Sequence, residues 1–210
     1  PTPNIDRLAR QGMLFTDAHS PASVCVPTRY GLLTGRYPFR SERSEQVESR
    51  IEPGRMTLAS MLAKQGYVTA CLGKWHQGFD GGKVRQDYEL PLAGGPVDRG
   101  FDYFYGLPAS LDIPPYYWIE NDHCVAAPTE TIEDNFSDGW TRIQGAFWRA
   151  GNIAPQFRHV DVLPQLRQRA VNYLKQHQKN NAEKPLFLYL PLPAPHTPWL
   201  PTRRYQGKSR

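Results

Sequence analysis

The sequence predicts an α/β fold with a mostly parallel sheet flanked by helices, and three observations carry that prediction. Two short apolar or β-branched runs, Tyr67-Val68-Thr69-Ala70-Cys71-Leu72 and Leu186-Phe187-Leu188-Tyr189-Leu190, read as buried strands. Segments with helical apolar spacing alternate with strands in the order strand, helix, helix, strand, helix, strand. Cationic and imidazole side chains stand just after strands, where open α/β sheets bind their ligands.

Taken in order, residues 4–11 place Ile5, Leu8 and Ala9 at helical spacing, with Asn4 as a cap and Gly12 as a stop. Residues 13–18, Met-Leu-Phe-Thr-Asp-Ala, read as a short strand. The loop over 19–24 then delivers Cys25. Pro27 suits the first position of a helix, where a missing N–H costs nothing, so a helix is expected from Pro27 to near Gly35. That puts Cys25 in the bend before the helix, where free N–H groups and the dipole favour an anion. Residues 36–54 are polar and read as irregular.

A second helix over 57–65 carries Leu58, Met61 and Leu62 behind a Thr57 cap and stops at Gly66. The first buried strand follows, and Lys74, Trp75 and His76 come directly after it. Residues 77–156 are rich in Gly, Pro and aromatics, with strand-like pieces only at 103–105 and 116–119. An irregular stretch of that length is expected to build a binding site or a lid. Residues 160–179 then show helical periodicity through Leu163, Leu166, Ala170 and Leu174. The second buried strand ends at Pro195-His196-Thr197-Pro198-Trp199.

Composition narrows the class. The chain has 210 residues, enough for one domain or a large piece of one, with 40% hydrophobic and 21% charged residues. Its 20 prolines are about twice the usual share and point to long loops. No apolar run approaches the roughly 20 residues that span a bilayer. The opening residues read as a helix and not as a basic, apolar leader. A net charge of +5 from scattered basic residues, without a stripe or a recognition motif, argues against nucleic acid. The 3 cysteines, Cys25, Cys71 and Cys124, fit neither a disulfide framework nor a zinc site.

Cys25 with Arg29, Lys74, His76 and His196 are therefore the candidate site residues. Each has an ordinary structural explanation: a small buried thiol, a surface helix arginine, a solvated turn, a rigid loop histidine. Their shared position beyond strands makes the joint functional reading the stronger one. Arg29, one turn on from Cys25, offers a planar fork that suits sulfate or phosphate. A cysteine–histidine hydrolase would need a third orienting group, and no signature for one is present. A cysteine phosphatase places five residues between its thiolate and arginine, against three here, so that reading fails.

The motifs Cys25-Val26-Pro27-Thr28-Arg29 with Leu33-Thr34-Gly35-Arg36, and Gly66-Tyr67-Val68-Thr69-Ala70-Cys71-Leu72-Gly73-Lys74-Trp75-His76, resemble the two signatures of the type I sulfatases. These belong to the alkaline-phosphatase-like superfamily. Pro195-His196-Thr197-Pro198, Thr2-Pro3-Asn4-Ile5-Asp6-Arg7-Leu8-Ala9 and Gly100-Phe101-Asp102 are also similar to that family, so the resemblance runs across nearly the whole chain. It implies that Cys25 is oxidised to formylglycine by a formylglycine-generating enzyme, which reads Pro27 and Arg29. One hydroxyl of the aldehyde hydrate then attacks sulfur to leave a covalent sulfate ester, and the second expels sulfate. By the same resemblance His76 helps remove that proton. Arg29 and Lys74 hold the nucleophile and sulfate oxygens, and His196 contacts sulfate and protonates the leaving oxygen. Lys74 and His196 are thus also substrate-binding, and the modified Cys25 is a metal ligand.

The resemblance further implies Ca2+, held by an Asp-Asp pair after the first strand and an Asp-Asn pair after a late one. Neither pair is in this sequence, so the chain is expected to be an internal fragment, truncated at both ends, of an N-terminal catalytic domain. Asp134-Asn135 is read as loop and not as the missing pair. The stretch over 77–156 is expected to shape the pocket, with Trp118, Trp140 and Trp148 as sugar-stacking candidates. Ser110, Asp112, Asn121 and Asp122 are candidate hydroxyl contacts. The expected partner is a sulfated small molecule or glycan, in a periplasmic, secreted or lysosomal setting by family habit. The alternatives are a phosphoesterase of the same superfamily using Cys25 or Thr28, and a non-catalytic binder of sulfated ligands.

Overall fold

In the computed structural model, which describes residues 2–43, 48–81 and 87–208, the predicted sheet is centred on the first buried strand. Strand β1 (Val68–Lys74) lies parallel between β2 (Tyr103–Leu107) and β7 (Leu186–Tyr189). Two short antiparallel strands, β3 (Ile119–Glu120) and β4 (His123–Cys124), extend it to the order β4-β3-β2-β1-β7. Most of the paired residues lie in the two parallel ladders, so the expected α/β class holds, with an antiparallel edge. A separate ribbon pairs β5 (Glu130–Ile132) with β6 (Gly151–Ile153).

Residues Thr69 to Lys74 of β1 are all buried, as an unbroken apolar and β-branched run requires when both faces are covered. The strand runs two residues further than expected, so Lys74 is its last residue. Helices α3 (Leu58–Ala63) and α4 (Val162–Asn180) both pack on β1. Thr57 caps α3 as expected: its Oγ1 accepts from Ser60 N at 3.0 Å while Ser60 Oγ accepts from Thr57 N at 2.9 Å. The Gly100-Phe101-Asp102 segment ties the layers together. The Asp102 carboxylate accepts from Thr69 N at 2.9 Å, and Phe101 stacks on Phe187 and Tyr189 in the core.

Glycines set the spacing at the carboxyl ends of the central strands. A Cβ on Gly106 of β2 would strike the carbonyl oxygen of Gly73 in β1, and a Cβ on Gly73 would strike that of Pro191. Gly73 also has φ +139°, a value L side chains rarely adopt.

Two expectations are corrected. Residues 13–18 are not a strand. Met13, Leu14 and Phe15 are all more than 70% exposed, and no described strand pairs with them, so their backbone has no ladder to join. Helix α1 (Pro3–Gln11), just before them, buries no residue. Helix α2 (Cys25–Thr34) starts at Cys25 and not at Pro27. The amide of the third helical residue has no intrahelical partner in any case, so Pro27 costs nothing there. The end at Gly35 is as expected, with φ 64° and its N–H on Gly31 O.

Within 77–156 the sequence reading marked only strand-like pieces, yet β2 from this stretch is an inner strand of the sheet. Trp118 stacks on Tyr105 and packs on Phe157, and Trp148 stacks on His159, so both belong to the packing beneath the loops. Asn121, at φ 57°, takes the turn between β3 and β4, and its Oδ1 accepts from Phe104 N. Asn135 bridges to Trp148, in line with the loop reading of Asp134-Asn135. Residues 44–47 of the expected irregular segment, and 82–86, lie outside the described residues. No described helix is long and apolar enough to cross a membrane.

Candidate active site

Cys25 opens α2 and is half-buried, with Val24 extended before it. Its Sγ lies 3.4 Å from Nδ1 of His76. His76 is two residues beyond β1 and has φ 54°, a left-handed value that a non-glycine residue adopts only when its surroundings hold it. They do so from two sides. His76 N donates to Pro108 O at 3.1 Å, and the amide of buried Gln77 donates to both Val26 O, at 2.9 Å, and His76 O. Gln77 therefore locks the start of the cysteine helix to the end of the central strand.

Arg29, one turn into α2, donates from a terminal nitrogen to Lys74 O at 2.8 Å and to the hydroxyl of Tyr189 at 3.3 Å, while its Nε is buried with no partner. Lys74 is 1% exposed, and its Nζ donates to Ser110 Oγ. Burial pushes the Lys74 ammonium below its ordinary value, and the Arg29 charge adds to this. Cys25 and Asp112 pull the other way. A buried cation with one hydroxyl partner suits an arriving anion.

The loop after β2 contributes Ser110 and Asp112, both buried. Arg149 donates from one nitrogen to the Asp112 backbone O at 2.9 Å and to its Oδ2 at 2.6 Å. His196 reaches this group from the loop beyond β7. Its Nδ1 is 3.9 Å from Asp112 Oδ1 and 2.9 Å from its neighbour's carbonyl, Thr197 O. That loop is pinned to the 137–149 segment, since Thr197 Oγ1 and Trp199 N both donate to Gly145 O.

The five residues singled out in the sequence thus gather at one end of the sheet. Cys25 meets His76 and Lys74, Arg29 holds the Lys74 carbonyl, and Lys74 meets Ser110. His196 lies by Asp112, two residues along the same loop as Ser110. Of the candidate hydroxyl contacts, Ser110 and Asp112 belong to the site, whereas Asn121 and Asp122 serve the β3–β4 turn. Sequence reasoning missed Gln77, Tyr189 and Arg149. Gln77 carried a signal, a polar residue directly after His76 at the end of a buried run. Tyr189 and Arg149 are joined to the site only by tertiary folding and carried none.

Among the described residues no group of three or more His, Cys, Asp and Glu side chains stands ready to hold a metal. The Asp112 carboxylate, which acts on Lys74 and lies 3.9 Å from His196, is already committed to Arg149. These residues alone do not fit a hard-cation site, which needs several oxygen ligands.

The sequence matches the Sulfatase family over residues 1–210. It is 32% identical over 239 residues to an N-acetylgalactosamine-6-O-sulfatase of Bacteroides thetaiotaomicron, covering 99% of this chain and 46% of that one. It is 33% identical over 209 residues to mouse arylsulfatase G, covering 94% of this chain and 37% of that one. Among solved structures, a 6S-sulfatase from a Bacteroides thetaiotaomicron study of glycosaminoglycan metabolism superposes with a TM-score of 0.78 at 29% identity, over 99% of this chain and 48% of that one. The chain spans less than half the length of these relatives. With its signature residues drawn together at the carboxyl ends of the sheet, the chain belongs to the sulfatase family.

Proposed function

We propose that this chain carries the nucleophile side of a sulfuric ester hydrolase that releases inorganic sulfate from a sulfated carbohydrate. The observation that carries the reading is the meeting of Cys25 with His76 at 3.4 Å, beside Arg29 and buried Lys74, at the start of a helix. Cys25 at this position fits conversion to formylglycine, whose hydrate would supply the hydroxyl that attacks sulfur and a second hydroxyl that expels sulfate. The cysteine at this position favours this chemistry over a phosphoesterase, which would use a serine or threonine there.

The other residues divide the remaining work. His76 is placed to accept a proton at Nδ1 from the group at residue 25. Lys74 and Arg29 present positive charge where negative charge builds on the sulfonyl oxygens, Lys74 from a buried position. His196, half exposed at the rim, is placed to give a proton to the leaving oxygen. Calcium is implied by the family, but the described residues do not make its site, and no step here is routed through it.

The relatives' names include both a sugar sulfatase and arylsulfatases, and carbohydrate is favoured over a simple aryl group by the rim itself. Trp140, 57% exposed, meets Trp199 edge-on at 5.1 Å, three residues from His196. Exposed aromatic faces beside a sulfate site suit the apolar face of a sugar ring. The stretch over 77–156 supplies Ser110, Asp112, Arg149 and the Trp140 half of this rim, which supports its reading as the substrate-binding region.

The test is to express the full-length protein with a formylglycine-generating enzyme and weigh the peptide containing Cys25. Conversion to the aldehyde, with sulfate release that is lost in Cys25→Ala, is the expected result. An active protein with an intact thiol would overturn the formylglycine chemistry. A converted protein that binds sulfated sugars but releases no sulfate would be a binder instead.

A further inference from the structure

We propose that Arg149 and Asp112 form a relay that orients His196 for proton delivery to the leaving oxygen. The inference rests on the sulfatase reading and extends it to two residues outside the family signatures quoted above. Arg149 holds both the Oδ2 and the backbone carbonyl of Asp112, at 2.6 and 2.9 Å. With its backbone and one carboxylate oxygen both held by Arg149, Asp112 has one oxygen left to offer. That oxygen, Oδ1, is buried without a hydrogen-bond partner, which a carboxylate oxygen tolerates poorly. The group it faces is Nδ1 of His196, 3.9 Å away, too far for a hydrogen bond but within reach of a small ring rotation.

His196 has a choice of acceptors. In this structure its Nδ1 lies 2.9 Å from Thr197 O, a contact to its own neighbour that leaves the ring on the exposed side. Thr197 itself is fastened through Oγ1 to Gly145 O, so the loop stays in place while the imidazole turns. Turned toward Asp112, the ring donates Nδ1–H to Oδ1 and directs Nε2 away from the carboxylate. An imidazole held by one nitrogen has a fixed tautomer and a fixed aim for the other.

The proton balance is simple. As the S–O bond to the leaving oxygen breaks, its electron pair takes the Nε2 proton of His196. The ring is left neutral with Nδ1–H on Asp112, which stays ionised, and it regains its proton from water. Asp112 and Arg149 are thus positioning residues and never touch the reacting atoms.

The test compares leaving groups in the matured full-length enzyme. Release of para-nitrophenol needs little protonation, whereas phenol and a sugar alcohol need much more. Asp112→Asn should lower turnover by about 2-fold on para-nitrophenyl sulfate but by about 10-fold or more on phenyl sulfate and N-acetylgalactosamine-6-sulfate. Arg149→Met, at a half-exposed side chain, should tilt the series the same way. Adding Asp112→Asn to His196→Ala should cost nothing further, since both remove one function. An equal loss across all leaving groups, or losses that multiply in the double variant, would overturn the relay. A readout without turnover separates the two readings. With inorganic sulfate bound, the Nδ1–H resonance of His196 should move downfield in the wild type and lose that shift in Asp112→Asn. An enzyme inert on every ester sinks the sulfatase reading, whereas a resonance indifferent to Asp112→Asn sinks the relay.

Discussion

Cys25 and His76 stand 51 residues apart in the chain, yet their Sγ and Nδ1 atoms are 3.4 Å apart. The contact depends on a histidine held at φ 54° by the Gln77 amide and the Pro108 carbonyl. An imidazole placed this way against a nucleophile acts by proton transfer, typically worth about 100- to 10,000-fold. His76→Ala should lower kcat on para-nitrophenyl sulfate by that order while KM moves by less than about 3-fold. Steady-state kinetics decide it, and a rise in KM with kcat intact would make His76 a binding residue instead.

Lys74 should separate activity from stability. Its ammonium is desolvated, with the Ser110 hydroxyl and Cys25 beside it but no paired carboxylate among the described residues, so its burial opposes folding. Lys74→Met keeps the stem and removes the charge. Sulfate release should fall by about 100-fold or more, as when a preorganised donor is deleted. Thermal unfolding should rise or stay within a few degrees. A large drop in melting temperature would show that the ammonium is there for the fold.

The Trp140–Trp199 pair should matter to extended substrates. Trp140→Ala removes one exposed aromatic face worth about 1 kcal/mol of stacking, so KM for a sulfated oligosaccharide should rise about 5-fold. The change on para-nitrophenyl sulfate should be smaller. Equal changes on both would place Trp140 outside sugar recognition.

His159 predicts acid sensitivity. It is 6% exposed, stacked on Trp148 at 4.6 Å and set edge-on to Tyr116, and burial lowers its pKa from 6.5 to about 4. The folded protein therefore refuses a proton that the unfolded chain accepts. Stability is unaffected by this group above about pH 6.5 and falls as pH drops from there towards 4, by on the order of 3 kcal/mol in total. Urea denaturation at pH 7 and pH 5 measures the slope, and His159→Phe should flatten it. An unchanged slope in that variant would assign the acid sensitivity elsewhere.

The sequence reading reached those parts of the fold and site that local rules govern. β1 announced itself because a strand buried on both faces is apolar without interruption. β7 carries the same apolar run but lies half-buried at the sheet edge, so the strand was legible and its degree of burial was not. Thr57 and Gly35 mark helix ends by their own conformations. Cys25, Arg29, Lys74, His76 and His196 were visible because each stands beside a strand end or a proline-defined turn. What failed was partnership. Residues 13–18 have strand-like composition but pair with no described strand, and partnership is a property no window of sequence contains. Trp118 and Trp148 look like surface binders by type, and only packing on Tyr105 and His159 shows otherwise. Arg149 is invisible for the same reason, since it matters solely through Asp112.

Gly73 and Gly106 meet backbone to backbone directly beneath Lys74, with no room for even a methyl group. The rigid part of the molecule therefore cannot drift by small steps, because the first added carbon is already too much. Room for change lies further out, at exposed rim positions such as Trp140 and Trp199. Libraries seeking a changed ester preference are best confined to such exposed positions, with the glycine pair and the residues it spaces left untouched.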